Sequence, residues 1–93
     1  MRITFDKAKR DKTLQERGLD FADAKVIFAG RTFDQVDDRK DYGEERIVSV
    51  GHLAGRMVVV LWTPRGIARR VISMRKANDR EQARFASYFE NRE

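Results

Sequence analysis

A run of six apolar residues, Met57–Trp62, constrains the fold of this chain more than any other segment. The run is rich in β-branched valines and predicts a strand that is buried on both faces. In Thr63–Gly66, which follows, proline fixes one φ angle and glycine accepts a positive one, so a turn is expected there. A second strand is then expected from about Ile67 to Arg75. The centre of the predicted fold is a β-hairpin.

Positive charge is concentrated on this hairpin and on the segment after it. Between Arg56 and Arg84 the chain carries eight Lys or Arg residues and two acids, a net charge of +6. The whole chain has a net charge of only +5. A charge of this sign favours an acidic partner, and both a nucleic acid and an acidic protein fit that description.

The length and composition favour one small domain. With 93 residues, the chain is long enough for a single modest core, and we expect one domain over residues 1–93. It has no cysteine, which excludes disulfides and thiol chemistry and suits a reducing cytoplasm. The first residues lack the apolar centre of a signal peptide, and no apolar run reaches membrane-spanning length. We therefore expect a cytoplasmic protein with no membrane partner.

Three helices are predicted from capping residues and apolar spacing. They run from Asp6 to about Arg17, from Asp20 to Gly30, and from Asn78 to about Asn91. Only Ala8 and Leu14 offer the first helix buried contacts. Asn78 and Glu81 have the spacing of a capping box, which marks the start of the last helix.

The strands complete an α+β pattern. Besides the hairpin, they are expected at Arg2–Phe5, Thr32–Val36 and Glu45–Val50, the last because its polar and apolar residues alternate. The element order is then β-α-α-β-β-β-β-α. We expect an antiparallel meander packed by helices.

Alternation along the strands predicts which side chains share a face. If Ser49 and Ser73 face solvent, Glu45 and Arg75 point to the same side of the sheet, and Arg69 points there too. Arg46 and Arg70 would then lie at the margin of the packed face. A β-bulge would invert this assignment locally.

Five segments, in the same order along the chain as in the family, resemble the BrnT-type family of small ribonuclease toxins of type II toxin–antitoxin modules. Many members have an Asn and then a Lys-His-Gly triplet at the end of the first helix. This chain has Leu14–Gly18 there, so any role of that histidine is absent. The matching segments are Phe5–Lys9, Gly18–Ala24 with Val26–Phe28, Gly43–Gly51, Val58–Thr63, and Arg70–Ala77 running into Glu81.

The resemblance implies a RelE-like fold and cleavage of RNA without a metal ion or cofactor, inhibiting translation and growth. It also implies a cognate BrnA-like antitoxin that masks the toxin. Such an antitoxin has its own DNA-binding part, so operator DNA is expected to be bound only through the complex.

Metal-free RNA cleavage needs few groups, because the RNA supplies its own 2′-hydroxyl nucleophile. The protein must supply a base, cations on the phosphorane and a proton donor for the departing 5′-oxygen. Arg70, Arg75 and Lys76 match the strand-end motif of the family and are the predicted cations. Glu45 is the candidate base or base-orienting group. The predicted RNA contacts are Arg46, Arg65, Arg69 and Arg80.

Other readings stay open on the sequence alone. Glu45 and Arg75 also fit a simple cross-strand ion pair, and Arg65 fits a solvated turn residue. The chain could be a non-catalytic nucleic-acid-binding module, or an interaction protein that docks an acidic protein. A glutamate within an arginine cluster favours catalysis over these alternatives. With one histidine, His52, and aspartates that match no calcium loop, no metal site is expected.

Overall fold

The computed structural model describes residues 1–90 and places the predicted hydrophobic strand at the centre of a five-stranded mixed sheet. The strands are β1 (Arg2–Phe5), β2 (Phe33–Val36), β3 (Ile47–Leu53), β4 (Arg56–Arg65) and β5 (Ala68–Lys76). Their order across the sheet is β1-β5-β4-β3-β2. The central strand β4 is buried on both faces, as the valine run predicts.

The helices are α1 (Lys7–Arg17), α2 (Ala24–Ala29) and α3 (Asp79–Glu90), with a 3-10 turn at Phe21–Asp23. The side chain of Asp6 accepts from the backbone N–H of Lys9 at 3.1 Å, and α1 ends at Gly18, whose φ is +69°. The predicted caps of the first helix are thus confirmed. The predicted end of the last helix, at Asn91, lies outside the described residues.

The α+β class is confirmed, but the expectation of an antiparallel sheet is wrong at one edge. β1 pairs in parallel with β5, while the other neighbouring strands are antiparallel. Ile3 and Phe5 of β1 pack against the main hydrophobic core, and the rings of Phe5 and Phe21 meet edge to face at 6.0 Å. Burying these side chains favours β1 beside β5.

Two strand boundaries differ from those predicted. The strand expected to begin at Glu45 begins at Ile47. The hairpin turn is Gly66–Ile67 and not Thr63–Gly66, because Pro64 still pairs with Arg69. Gly66 has φ +60° in the first position of a two-residue turn, where a positive φ is required.

Helix α1 is fixed to the sheet by arginines and not by an apolar seam. No residue of α1 is buried, so the expectation of buried contacts at Ala8 and Leu14 is wrong. Instead, Arg10 donates to both carboxylate oxygens of Asp20 at 2.9 and 3.0 Å. Arg17 donates from Nη1 to the carbonyl of Met74 at 2.7 Å.

Each face of the sheet has its own hydrophobic core. On the face we call the α2 face, Val58, Val60 and Met74 pack with residues of the 3-10 turn and α2. On the opposite face, the α3 face, Val50 and Val59 pack against α3. The 3-10 turn and α2 thus cover one face of the sheet, and α3 covers part of the other.

The prediction that Ser49 faces solvent is wrong. Its side chain is fully buried on the α2 face. The Nε1–H of Trp62 donates to Ser49 Oγ at 2.8 Å, and the Ser49 hydroxyl donates to Asp34 Oδ1 at 2.6 Å. Because both of its hydrogen bonds are made within the protein, this serine is buried without an unpaired polar atom.

Within residues 1–90, every helix is too short or too polar to cross a membrane.

Replacing Gly51 with alanine should destabilise the fold, because α2 approaches β3 closely at this position. A Cβ atom at position 51 would lie 2.7 Å from Ile27 Cγ2 and 3.1 Å from Thr32 Cγ2. Overpacking of this kind costs about 1–3 kcal/mol, which urea unfolding of Gly51→Ala will measure. Gly30→Ala is the matched control, because its Cβ would meet only Ile27 O, at an ordinary 3.7 Å. Equal stability of the two variants would contradict the expectation.

Candidate active site

A β-bulge in the β4–β5 hairpin determines which arginines share a face of the sheet. Between the positions paired with Leu61 and Trp62, β5 contains one extra residue, Ile72. Side chains alternate between faces along a strand, and an extra residue reverses the alternation beyond it. Arg70 and Arg75 are separated by five positions and would otherwise point to opposite faces. The bulge puts both on the α3 face.

Side-chain contacts agree with this assignment. Arg75 pairs in register with Val59, which is part of the α3-face core. Arg69 lies on the α2 face, where its guanidinium is 4.4 Å from the ring centroid of Trp62 and 4.5 Å from that of Phe28. The expectation that Arg69 and Arg75 share a face is therefore wrong, because of the bulge. Contact of Arg69 with RNA stays a prediction.

Arg75 is held by a carboxylate of the following helix. Its Nη1 donates to Glu81 Oε1 and its Nη2 to Glu81 Oε2, both at 2.7 Å. Glu81 Oε1 also accepts from the backbone N–H of Asn78 at 2.9 Å, and Asn78 Oδ1 accepts from that of Glu81 at 2.8 Å. The predicted capping box is present, and the same carboxylate orients Arg75.

This contact changes the acidity of Glu81. The pKa of Glu81 is lowered to about 2, chiefly by the hydrogen bonds from Arg75. Burial of the carboxyl acts in the opposite direction, and the hydrogen bond from the Asn78 N–H lowers the pKa further. The hydrogen bonds to Glu81 raise the pKa of Arg75. Glu81 is thus ionised at neutral pH and is a poor proton acceptor. The contact of Glu81 with Arg75 orients the Arg75 guanidinium.

Arg70 has a different environment. Its Cα partners in the register are Thr4 in β1 and Thr63 in β4. The side chain is half-buried, and its guanidinium makes no hydrogen bond, ion pair or ring contact with any of residues 1–90. Arg70 thus offers a full set of donors to a ligand on the α3 face.

Lys76 and Arg80 lie near the end of β5, where the chain turns into α3. Both side chains are exposed, and neither has a side-chain partner among the described residues. Lys76 pairs in register with Val58, so it lies on the α2-face side of the strand end. Arg80 is in the first turn of α3. Lys76 is thus next to Arg75 in the chain but does not share its face.

Glu45 is in the loop between β2 and β3, two residues before β3 begins. Its backbone carbonyl accepts from the Thr63 hydroxyl at 2.6 Å, which fixes the loop to β4. Its carboxylate is exposed and makes no hydrogen bond or ion pair within residues 1–90. The expected pairing of Glu45 with Arg75 across the sheet is wrong, because the strand starts too late and Glu81 occupies Arg75.

The other two predicted RNA contacts are attached to the same loop. Arg65 donates from Nη2 to Glu44 Oε1 at 2.9 Å, with both groups partly exposed. Arg46 stacks its guanidinium 4.0 Å from the ring centroid of Tyr42. Its buried Nε atom is without a hydrogen-bond partner in the described part of the chain.

Arg75 also lines a cleft of about 260 Å³ between α3 and the strand β2 with its following loop. The floor is apolar and includes Val48 and Val59, and Glu81 and Arg84 of α3 form one wall. A larger depression, of about 740 Å³, is lined by Arg31, His52, Phe89 and neighbouring residues. None of the predicted catalytic or RNA-contacting residues lines the larger depression, so the candidate site is the arginine-bearing part of the α3 face.

The model of one protein family matches residues 5–81, described as ribonuclease toxin, BrnT, of type II toxin–antitoxin system. The match spans most of the 93-residue chain. The chain belongs to the BrnT family. No curated protein sequence matches it.

BrnT membership makes the protein a ribonuclease toxin of a type II toxin–antitoxin system, and such a system includes an antitoxin protein as partner. The matched segment contains every predicted site residue, from Glu45 to Arg80. It ends at Glu81, the residue that orients Arg75. Among residues 1–90, no three His, Cys, Asp or Glu side chains are grouped so that they could hold a metal ion.

Sequence reasoning missed the contact of Glu81 with Arg75. The Asn78–Glu81 spacing predicted a helix cap, and a cap fully accounts for a glutamate at this position. The available signal was that only two residues separate the end of β5 from the start of α3. A connection this short brings the first turn of the helix back beside Arg75.

Replacing Glu81 with glutamine should lower the free energy of unfolding at neutral pH, and this loss should be smaller at acid pH. Glutamine can still accept from the Asn78 N–H, so the change removes mainly the ion pair. The folded-state pKa of Glu81 lies below its ordinary value of 4.5, so the pair stabilises above about pH 4.5 and is lost as the pH falls towards 2. Since the Arg75 side chain is 46% exposed, we expect a loss of about 1 kcal/mol at pH 7.

Urea unfolding at pH 7 and pH 3 checks this expectation, because the difference from wild type should narrow at the lower pH. Glu16→Gln is the matched control on α1, where the glutamate is exposed and has no partner within residues 1–90. A difference that is the same at both pH values would contradict an ionic origin.

Proposed function

We propose that the protein is an endoribonuclease toxin that cleaves RNA without a metal ion, with its reacting groups on the open part of the α3 face. The observation that carries the proposal is the bulge at Ile72, which brings Arg70 and Arg75 to one face in a member of a ribonuclease family. We also propose that residues 1–93 form a single RelE-like domain, supported by the succession β-α-α-β-β-β-β-α.

In the proposed reaction, the RNA 2′-oxygen attacks the adjacent phosphorus and the bond to the 5′-oxygen breaks. The 2′-hydroxyl proton goes to a base, and the leaving 5′-oxygen takes up a proton. The products are a 2′,3′-cyclic phosphate and a 5′-hydroxyl. No water or redox partner is consumed in this step. The pentacoordinate intermediate carries extra negative charge, and stabilising that charge is the main task of the protein.

Arg75 and Arg70 are the proposed stabilisers of that charge. Glu81 holds the Arg75 guanidinium by both Nη atoms and leaves its Nε–H free to donate to a phosphate oxygen. A cation that is already oriented needs little rearrangement when the charge develops. The unpartnered donors of Arg70 supply a second contact on the same face. Arg80 and Lys76 are proposed to hold the flanking phosphates, and Arg46, Arg65 and Arg69 are proposed as outer contacts.

Glu45 remains the candidate base or base-orienting residue. Its carboxylate is exposed and without a partner among residues 1–90, so it is available to accept a proton. Glu81, by contrast, is held ionised by Arg75 and is unsuited to the role.

The antitoxin is proposed to cover the open part of the α3 face with carboxylates, in the cytoplasm of the cell that makes both proteins. The basic excess of +6 between Arg56 and Arg84 supports an acidic cover. The toxin alone should bind operator DNA weakly, since arginines on a hairpin contact phosphates without reading bases. Repression of the operon would then need the DNA-binding part of the antitoxin.

RNA cleavage should persist in excess EDTA and should leave 2′,3′-cyclic phosphate or 3′-phosphate ends. The reason is that arginines and the 2′-hydroxyl replace a metal ion and a water nucleophile in the proposed reaction. End-group analysis of a defined RNA, cleaved with and without EDTA, checks both points. Activity that EDTA abolishes and Mg²⁺ restores would refute the metal-free mechanism.

Arg75→Ala and Arg70→Ala should each reduce cleavage by about 10²-fold or more, as is typical when one electrostatic stabiliser is removed. Thermal melting should show both variants folded. Lys12→Ala is the control, because Lys12 is an exposed cation on α1 that is not among the predicted site residues. Equal losses in all three variants would mean that positive charge acts only diffusely.

A further inference from the structure

The cleft beside Arg75 has no role in the proposed bond-breaking step. Its floor is formed by apolar side chains of β3, β4 and α3, namely Val48, Val50, Val59 and Phe85. Its volume, about 260 Å³, is below the 300–1,000 Å³ typical of sites for drug-sized ligands. An apolar floor of this size suits one planar ring system.

The walls of the cleft are held by ion pairs on two sides. On the α3 side, Glu81 fixes Arg75. On the loop side, Arg39 donates to Asp37 from Nε at 2.8 Å and from Nη2 at 2.9 Å, and the Asp37 side chain is only 2% exposed. The Asp37 N–H also donates to the Arg46 carbonyl at 2.8 Å, so a residue of each wall is already fixed before any ligand binds.

Gln35 lines the cleft with a polar side chain whose amide is available to a ligand. It pairs in register with Val48, so its side chain lies on the α3 face, and it lines the cleft. The side chain is exposed, and its amide makes no hydrogen bond within residues 1–90. A primary amide offers a donor beside an acceptor, the pair that reads base edges such as the N6–H and N7 of adenine.

We infer that this cleft is a subsite for one nucleobase of single-stranded RNA, in which Gln35 hydrogen-bonds the edge of the base. The inference rests on the proposed function, because the nucleotide would enter with its phosphate on Arg75. The base ring lies on the apolar floor, and the guanidinium of Arg84 stands at the edge, 5.2 Å from the Phe85 ring centroid. The protein would therefore select cleavage positions by a base next to the phosphate that it contacts.

Cleavage of a random-sequence RNA pool, with the cut positions read by sequencing, tests the inference. Wild type should show a base preference at one position beside the cut, and Gln35→Ala should weaken that preference by about tenfold, the worth of one good edge contact. Gln15→Ala, an exposed glutamine on α1 outside the cleft, is the matched control and should keep the wild-type preference. A preference that survives Gln35→Ala unchanged would overturn the inference.

A binding measurement separates this inference from the proposed function. In NMR titrations with the four nucleoside 3′-monophosphates, the Val48 and Val59 methyls and the Gln35 amide should shift for the preferred base and much less for the others. Val48→Phe fills the cleft and should abolish the shifts of the Val59 methyls and of the Gln35 amide. Cleavage without such shifts would refute the base subsite and leave the ribonuclease proposal intact. Shifts without cleavage by wild type would refute the ribonuclease mechanism alone.

Discussion

Burial of β4 on both faces is the constraint on which the rest of the structure depends. Val58 and Val60 must be covered on one face and Val59 on the other, so the sheet needs packing elements on both sides. The 3-10 turn and α2 cover one face, and α3 covers part of the other. In the proposed function, RNA binds the part of the α3 face beyond α3, where Arg70 and Arg75 of β5 lie.

The proposed site depends on the register of β5 more than on the composition of the chain. A chain with these arginines and no bulge would still be strongly basic, but Arg70 and Arg75 would lie on opposite faces. The ion pair with Glu81 fixes the guanidinium of Arg75, whereas that of Arg70 has no partner within residues 1–90. The proposed site thus combines an oriented cation with an available one, and the cleft beside Arg75 extends it towards a neighbouring base.

Much of this arrangement was predictable from local sequence. The valine run predicted the central strand, Asp6 and Gly18 predicted the limits of α1, and the family resemblance is confirmed by the family match. Local sequence patterns do not show, however, which residues distant in the chain will contact each other. Ser49 reads as solvent-facing until Trp62 and Asp34 are seen to satisfy its hydroxyl.

The same limit explains the errors at the site. Nothing between Arg69 and Arg75 marks Ile72 as the extra residue, because a bulge depends on pairing with β4. Pro64 reads as a turn residue, yet it is tolerated within β4 because that strand pairs with β3 no further than Trp62. Glu81 was recognised only as a cap, since its second partner lies on the preceding strand.

The adjacent arginines at positions 69 and 70 have one more consequence. Neighbouring residues in a regular strand point to opposite sides, so this pair presents one guanidinium to each face. If a deletion removed the extra residue of β5, Arg69 and Arg70 would exchange faces, and each face would still have its cation. Two adjacent arginines thus leave a positive charge on both faces of the sheet after a one-residue slip.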